Sequence, residues 1–466
     1  MLPDMVLLEI FDFVLKDLSG YSHTIWTWAK LVHVCQRWRR IVFGSPQRLQ
    51  LRIACSFRTP TRTSLDIWPA LPIVIRCQPG YVNGDRCEEN IIAAFEQHER
   101  ISEIYLHVPN SVFAIFAAVM QEHLPALTRL RLKASNAEIA PVLPEEFLGG
   151  SVPDLRSLYL GGISFPALPK LLLSARDLVH LHLFTIPRSG YISPEVMATC
   201  LVALTRLESL HFEFESPRSH PEEASRHPPP PTCALLPALT DFQFQGVSEY
   251  LEDLVARIDA PRLGNLQIKF FNRLFSELSQ LPRFVGRVER FKAFNTAHIS
   301  FYDRYVDVLL TPQIMRFDKD SLYFMISSTA PDWQLASMAQ VCNSSISLLS
   351  ASEYLYILKP ENPSPHWRYD MDNAQWLELL LPFAGVKNLY LGMGITLHVA
   401  LALQELTEEG AVMMLPALQN LFLEGLWSSG PVHDAIRKFV AVRQLSGHPV
   451  AVHRWNLLEE MSRSSQ

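Results

Sequence analysis

A Leu-x-x-Leu-x-Leu frame recurs along the chain and constrains the fold more than any other feature. It reads Leu155, Leu158, Leu160 in "DLRSLYLGG", then Leu178, Leu181, Leu183; Leu207, Leu210, Phe212; Leu263, Leu266, Ile268; and Leu418, Leu421, Leu423. The last two positions fall in strand-like stretches that alternate apolar and polar residues: "EIYLHV", "RLRLKA", "SLYLGG", "HLHLFT", "SLHFEF", "DFQFQG", "NLQIKF", "SLYFMI", "YLYILK", "NLYLGM" and "NLFLEG". Such alternation suits a strand covered on one face. The first apolar residue of each strand core falls at 104, 130, 158, 181, 210, 242 and 266, in steps of 26, 28, 23, 29, 32 and 24 residues. The pattern weakens around "VERFKAF" and resumes at 322, 355, 389 and 421, in steps of about 31 to 34.

Helix-length segments separate the strands, among them "EENIIAAFEQHERI", "SVFAIFAAVMQEHL", "SPEVMATCLVALTRL", "VSEYLEDLVARI", "FNRLFSELSQL", "DWQLASMAQVC", "NAQWLELLLPF" and "TLHVALALQELTEE". Ser193 before Pro194 and Asp332 are placed to cap such helices. Strands joined by short helical crossovers pair in parallel, and one strand–helix unit cannot bury both its faces without neighbours. Leucine-rich repeats have this frame and a period of roughly 20–29 residues. The expected fold is therefore α/β: a curved leucine-rich-repeat solenoid with parallel strands on the concave face, preceded by three short helices. A doubly wound α/β enzyme fits less well, because no Gly-rich phosphate loop is present. "RSHPEEASRHPPPP" (218–231) reads as a loop and accounts for the step from 210 to 242.

The first residues differ in character. A helix opening at Pro3 in "MLPDMVLLEIFDFVL" places Val6, Leu7, Ile10, Phe11 and Val14 on one stripe. "AKLVHVCQRWRRIVFGSP" gives a second stripe of Leu31, Val34, Cys35, Trp38, Ile41 and Val42. Between them, a turn is expected at Ser19-Gly20 and a further helix near Thr24. Three short helices in about 45 residues lie below the size at which a core stabilises itself. Their surplus apolar surface must pack on the repeats, on a partner, or on both.

"LPDMVLLEIFDFV" followed by "WAKLVHVCQRWRRIVFGSP" resembles an F-box: a Leu-Pro opening, an Ile-Phe about seven residues on, and a Val-Cys…Trp segment. "QRLQLRIACSFRTPTRTSLDIWPALPIVI" and the C-terminal "FVAVRQLSGHPVAVHRW" look like the corresponding parts of large fungal F-box families. The chain departs from the motif in starting at the Leu-Pro with no arm before it, and in placing about 14 residues before the second apolar segment. The resemblance implies an F-box at 1–46, a junction and irregular first repeat at 47–100, repeats over 101–430, and a cap and tail at 431–466. It implies docking on a Skp-family adaptor, and through it on a cullin–RING ubiquitin ligase, while the repeats hold a protein substrate. Carried over residue by residue, the adaptor face comprises Leu2, Pro3, Val6, Leu7, Ile10, Phe11, Val34, Cys35 and Trp38. Some of these would otherwise pack only within the three-helix unit or on the first repeat.

The outward residue between the two core positions of each strand gives a second surface: Tyr105, Arg131, Tyr159, His182, His211, Gln243, Gln267, Tyr323, Tyr356, Tyr390 and Phe422. Adjacent strands bring these to roughly 4.8 Å spacing in one stripe. It serves either as a recognition face or as a solvated strand face, or it is covered by the C-terminal tail. His180, His182 and His211 with Glu213 form a weak metal pattern, since alternation produces such pairs unaided and no cysteine pair supports them. "RYDMDN" (368–373) lacks the Gly and terminal Glu of a calcium loop. No nucleophile elbow, P-loop or Cys-His hydrolase signature is found, so neither catalysis nor a metal or other cofactor is expected.

Composition narrows the partners. At 466 residues, 48% hydrophobic and 19% charged, the chain is expected to fold. Its net charge of −6 disfavours nucleic acid. The longest clean apolar run, "VFAIFAAVM", is too short for a bilayer. Seven singly scattered cysteines, including Cys35 in an apolar stripe, read as reduced thiols of a cytoplasmic or nuclear protein, despite a sequon at Asn343.

Overall fold

The structure is a computed structural model that describes residues 2–17, 27–56, 61–77, 85–135, 139–219, 233–271, 278–312, 320–327, 331–344, 346–359, 372–406, 408–425 and 430–456. It is a mixed α/β protein that divides into two compact units, Met1–Tyr191 and Ile192–Gln466. No helix among the described residues is long and apolar enough to cross a membrane.

In the first unit, α1 (Asp4–Asp17), α2 (Thr27–Val32) and α3 (Gln36–Phe43) come before any strand. Then follow β1 (Ile53–Ser56), α4 (Thr61–Ile67), β2 (Ile73–Cys77), α5 (Asp85–Phe95), β3 (Ile101–Pro109) and α6 (Asn110–Val119). The unit ends with β4 (Arg129–Ser135), β5 (Ser157–Gly161), α7 (Leu168–Ser174) and β6 (His180–Ile186). Its six strands pair in chain order and all in parallel. Strands β1 and β2 lie in the stretch expected to hold a junction and an irregular first repeat. Their short buried runs, "IACS" and "IVIRC", lack the leucine frame that marks the others.

The second unit opens with α8 (Pro194–Val202), β7 (Ser209–Phe214), β8 (Ala234–Leu235), β9 (Asp241–Gly246) and α9 (Ser248–Val255). It continues through β10 (Ile258–Asp259), β11 (Asn265–Phe270), α10 (Gln280–Gly286), β12 (Thr296–Phe301), β13 (Tyr305–Thr311) and β14 (Ser321–Ser327). Next come α11 (Pro331–Ser344), α12 (Ile346–Leu349), β15 (Tyr354–Leu358), α13 (Asn373–Leu380), β16 (Asn388–Leu391) and α14 (Met393–Gln404). Last are α15 (Glu408–Met413), β17 (Asn420–Glu424), α16 (Pro431–Leu445) and β18 (Ala451–Trp455). The strand order is β7-β9-β11-β14-β13-β12-β15-β16-β17-β18, with β8 and β10 paired separately.

The leucine frame is the repeating physical unit of both parts. Its first residue closes a tight turn by donating its N–H three residues back: Leu155 to Val152 O, Leu178 to Ala175 O, Leu207 to Leu204 O, Leu263 to Ala260 O and Leu418 to Leu415 O, all at 3.0–3.2 Å. The next carbonyl accepts two successive N–H groups from the following repeat. Arg156 O takes those of Val179 and His180, Glu208 O those of Thr240 and Asp241, and Lys387 O those of Gln419 and Asn420. The second and third frame residues point into the core and sit in register with their neighbours. Leu158 faces Leu181 and Leu160 faces Leu183, while Leu210, Phe242, Leu266 and Leu322 line up across four strands. All of these are buried.

The expectation of an all-parallel series is corrected between β11 and β15. Here β13 runs antiparallel to both β12 and β14, while β14 pairs with β11 and β12 with β15 in parallel. The chain leaves β11, passes over two strand positions, and fills them on its way back as β13 and β14. The hairpin strands "TAHISF" and "YVDVLLT" are almost continuously buried and do not show the leucine frame. A β-branched run joined by Tyr302-Asp303-Arg304 was the available signal.

Several local expectations meet other residues. Ser193 does cap α8, accepting the Val196 N–H at 3.3 Å. Asp332 lies inside α11, which opens one residue earlier at Pro331. Most of "FNRLFSELSQL", the turn at Ser19-Gly20, Thr24 and nearly all of 218–231 lie outside the described residues. At Gly385 the backbone passes so close to the Ser350 carbonyl that a Cβ would collide with it.

The frame yields a sharp contrast in mutational cost. Leu266→Ala, emptying a fully buried site between Phe242 and Leu322, is expected to lower stability by about 2–5 kcal/mol. Gln267→Ala, one residue on and facing away from that core, is expected to change it by less than about 0.5 kcal/mol. Urea unfolding of the two variants reads the difference.

Candidate functional site

Two surfaces carry the sequence-derived residues: the outer face of α1 and the polar face of the strands. Helix α1 is apolar on both sides. Leu7, Leu8 and Phe11 turn inward, and Phe11 packs on Trp38 with ring centroids 4.7 Å apart. On the outer side Phe13 is 71% exposed, Met5 63%, Leu2 52%, Ile10 43% and Val6 41%. Charged clamps hold this arrangement. Arg37 of α3 grips Asp4 through Nε (2.8 Å) and Nη2 (2.5 Å), and Arg48 pairs with Glu9. Trp28 anchors the helices to the rest of the unit, donating to Arg52 O at 2.9 Å and meeting Phe43 and Trp68 edge-on.

The expected adaptor set therefore divides. Leu2, Pro3, Val6, Ile10, Val34 and Cys35 are exposed, whereas Leu7 and Phe11 fill the helical unit and Trp38 is half-buried. The single stripe expected over Leu31–Val42 is broken. Helix α2 stops at Val32, Val34 stands out at 59% exposure, and Cys35 is the extended N-cap of α3, its Sγ accepting the Trp38 N–H at 3.5 Å. A capping sulfur needs extended backbone, which ends the preceding helix.

On the strand face of the first unit, Arg76, Tyr105, Arg131, Tyr159 and His182 occupy one register row. Arg76 lies over the Tyr105 ring at 4.9 Å and Arg131 over Tyr159 at 4.1 Å, while Phe184 stacks on Tyr159 at 4.8 Å. Buried Glu103 ties to Arg52, to Arg129 at 3.6 Å, and to the Tyr105 hydroxyl, which donates to it at 2.9 Å.

In the second unit the row starts polar. Asp241 accepts from Ser209 at 2.9 Å and from Asn265 at 2.5 Å, and pairs with His211 at 2.5 Å. Burial acts against this carboxylate, but the bonds from His211, Asn265 and Ser209 outweigh it and hold its pKa below the usual value. Gln243 is within 3.4 Å of Asp241, and Gln267 is half-buried beside it in register. Tyr323 donates to Asp307 at 3.1 Å, and burial pushes the Asp307 carboxyl up to about 6.

Beyond the hairpin the row becomes a ladder of stacked rings. His298 stacks on Tyr356 (4.5 Å), Tyr356 on Tyr390 (4.2 Å), Tyr390 on Phe422 (4.2 Å) and Phe422 on His453 (5.0 Å). Trp455, ending β18, meets Tyr390 and Tyr356 edge-on at 5.2 and 6.0 Å. Tyr356 and Tyr390 are buried in consequence, so at this end of the stripe the C-terminal strand covers the face, one of the alternatives the sequence left open. Asp241, Arg76, Lys133, His298 and Trp455 were not singled out from sequence; strand register from neighbouring repeats was the signal that could have found them.

The metal pattern dissolves at His211, whose ring nitrogen is taken up by Asp241. Among the described residues no group of three or more His, Cys, Asp or Glu is placed to hold a metal ion. In "RYDMDN", Asp372 caps α13, accepting the Ala374 N–H at 3.0 Å. The six cysteines whose side chains are described form no disulfide, and burial pushes the Cys55 thiol up to about 11. No family model matches this chain, and no curated protein does.

Burial lowers the His298 pKa to about 4, so this ring is neutral in the folded ladder while an unfolded histidine titrates near 6.5. Its contribution to stability is complete above the unfolded value and is lost as pH falls from about 6.5 towards 4. Wild type is expected to lose on the order of 2–3 kcal/mol more than His298→Phe between pH 7 and 4. Asp307 acts oppositely, adding stability as pH falls below about 6, but equally in both proteins. Urea unfolding across this range isolates the histidine.

Proposed function

We propose that this chain is a non-enzymatic substrate receptor of a Skp–cullin–F-box ubiquitin ligase. In this reading its N-terminal helices are an F-box, and its strand–helix repeats form a leucine-rich-repeat solenoid, strands on the concave side, that holds a protein substrate. The observation that carries it is the second apolar face of α1 and the residue leading into it: Leu2, Met5, Val6, Ile10 and Phe13 stay exposed after Leu7, Leu8 and Phe11 have filled the helical unit. Solvent-facing apolar residues in such a row mark an interaction surface, and large side chains of this kind dominate interface energetics. Docking there on a Skp-family adaptor, and so on a cullin, would raise the effective concentration of substrate lysines beside a charged ubiquitin carrier. The chain would act in the cytoplasm or nucleus.

A second reading is favoured by the Trp28–Phe43–Trp68 contact, which seats the helices on α4 and the start of β1. Here they are only a cap, and the repeats are an interaction scaffold with no ligase role.

Charging the exposed face separates the two. Ile10→Asp with Val34→Asp is expected to reduce co-purified Skp adaptor at least tenfold, with the circular dichroism and melting midpoint of the chain unchanged. Phe11 is unsuitable for this test because it is buried against Trp38. Adaptor recovery equal to wild type would leave the scaffold reading standing.

A further inference from the structure

The strands of the first unit carry a charge opposite to that of the whole chain. Arg76, Arg129, Arg131 and Lys133 lie on β2–β4, and Glu103 is the one carboxylate on β1–β6. Glu103 is already engaged by Arg52 and Arg129. Arg76, Arg131 and Lys133 have no carboxylate partner among the described residues. Arg76 and Arg131 share a register row two strands apart, roughly 10 Å, and Lys133 sits two residues beyond Arg131. The strands of the second unit show no such excess, bearing Glu213, Asp241, Asp259, Asp307 and Glu424 against Lys269 and Arg454.

We infer that this face of the first unit binds an acidic peptide segment, its carboxylates paired with Arg76, Arg131 and Lys133. Charge complementarity selects an anion, and the ring stacking selects among anions. A single-stranded nucleic acid would need open aromatic faces for its bases. Here Tyr105 is covered by the Arg76 guanidinium, and Tyr159 is in contact with Arg131 and with Phe184. Each of these rings has an arginine against it in place of an open face, and arginine is the side chain suited to gripping carboxylates in pairs. Nearby His107 reports the same field: burial first, then the charges of Lys133 and Arg131, lower its pKa. The inference names a substrate class for the strand face. It rests on the proposal that this face recognises a protein, and is independent of adaptor docking at α1.

The test uses the full chain and three fluorescein-labelled probes: a twelve-residue peptide alternating Glu and Gly, its Gln-Gly counterpart, and an oligouridylate of equal charge. Fluorescence anisotropy is expected to show saturable binding of the Glu-Gly peptide, weakened by salt, and none of the Gln-Gly peptide. Arg131→Gln with Lys133→Gln is expected to weaken it at least fivefold. Removing the same charge from exposed α16 positions, Arg437→Gln with Lys438→Gln, is expected to leave it unchanged. Arg131→Gln alone, at an exposed position, carries the same direction should the double variant fail to fold. No Glu-Gly binding, equal weakening in the α16 variant, or tighter binding of oligouridylate would overturn the inference. Adaptor pull-down on the same protein preparation reads the ligase proposal separately.

Discussion

The strands that carry the leucine frame depend on returning the chain to the same end of their sheet. The Leu-x-x-Leu turn does this with one internal bond and one shared carbonyl. Leu207 closes its turn on Leu204 O, and the adjacent Glu208 O receives both Thr240 and Asp241 from the next repeat. Two N–H donors that would otherwise lack a partner at the strand entrance are thereby satisfied. The same geometry fixes register, because the frame's second residue is always three positions past the turn. Leu210, Phe242 and Leu266 align for that reason and not through any side-chain code of their own.

Where the frame was written in the sequence, the fold was legible; all eleven alternating stretches are strands. What was missed lacks the frame. Strands β1, β2, β12 and β13 are almost uniformly buried, and period-two reasoning has little to read in a strand covered on both sides. The break at His33–Cys35 was hidden for a different reason. Apolar spacing from Leu31 to Val42 continues through it, and only the cysteine's capping geometry, which sequence seldom betrays, stops α2.

The strand-face row was legible as positions but not as environments. Tyr105, Tyr159, Tyr356 and Tyr390 look alike in sequence, each standing between two core residues. The structure separates them by their neighbours: Tyr159 carries an arginine, whereas Tyr356 and Tyr390 lie inside a ring ladder under Trp455. Pair spacing within one strand cannot reveal a residue that arrives from the last strand of the chain. The ladder is therefore a structural element, stabilising the C-terminal strands through stacked area, and in the proposed reading recognition falls to the open, charged rows.

Helix α1 poses the sharper physical question. A helix apolar on two faces is suited to a core, yet this one lies at the surface with half its apolar residues outward. Its orientation is not a matter of indifference to the unit, because Arg37–Asp4 and Arg48–Glu9 fix its rotation so that Leu7, Leu8 and Phe11 face in. Rotating it to hide Ile10 and Phe13 would break both ion pairs and expose Phe11 from its contact with Trp38. The outward apolar row is thus held in place by the same interactions that bury the inward one. A surface maintained in that way is pre-organised, and a partner that covers it need not meet the ordering cost of assembling it.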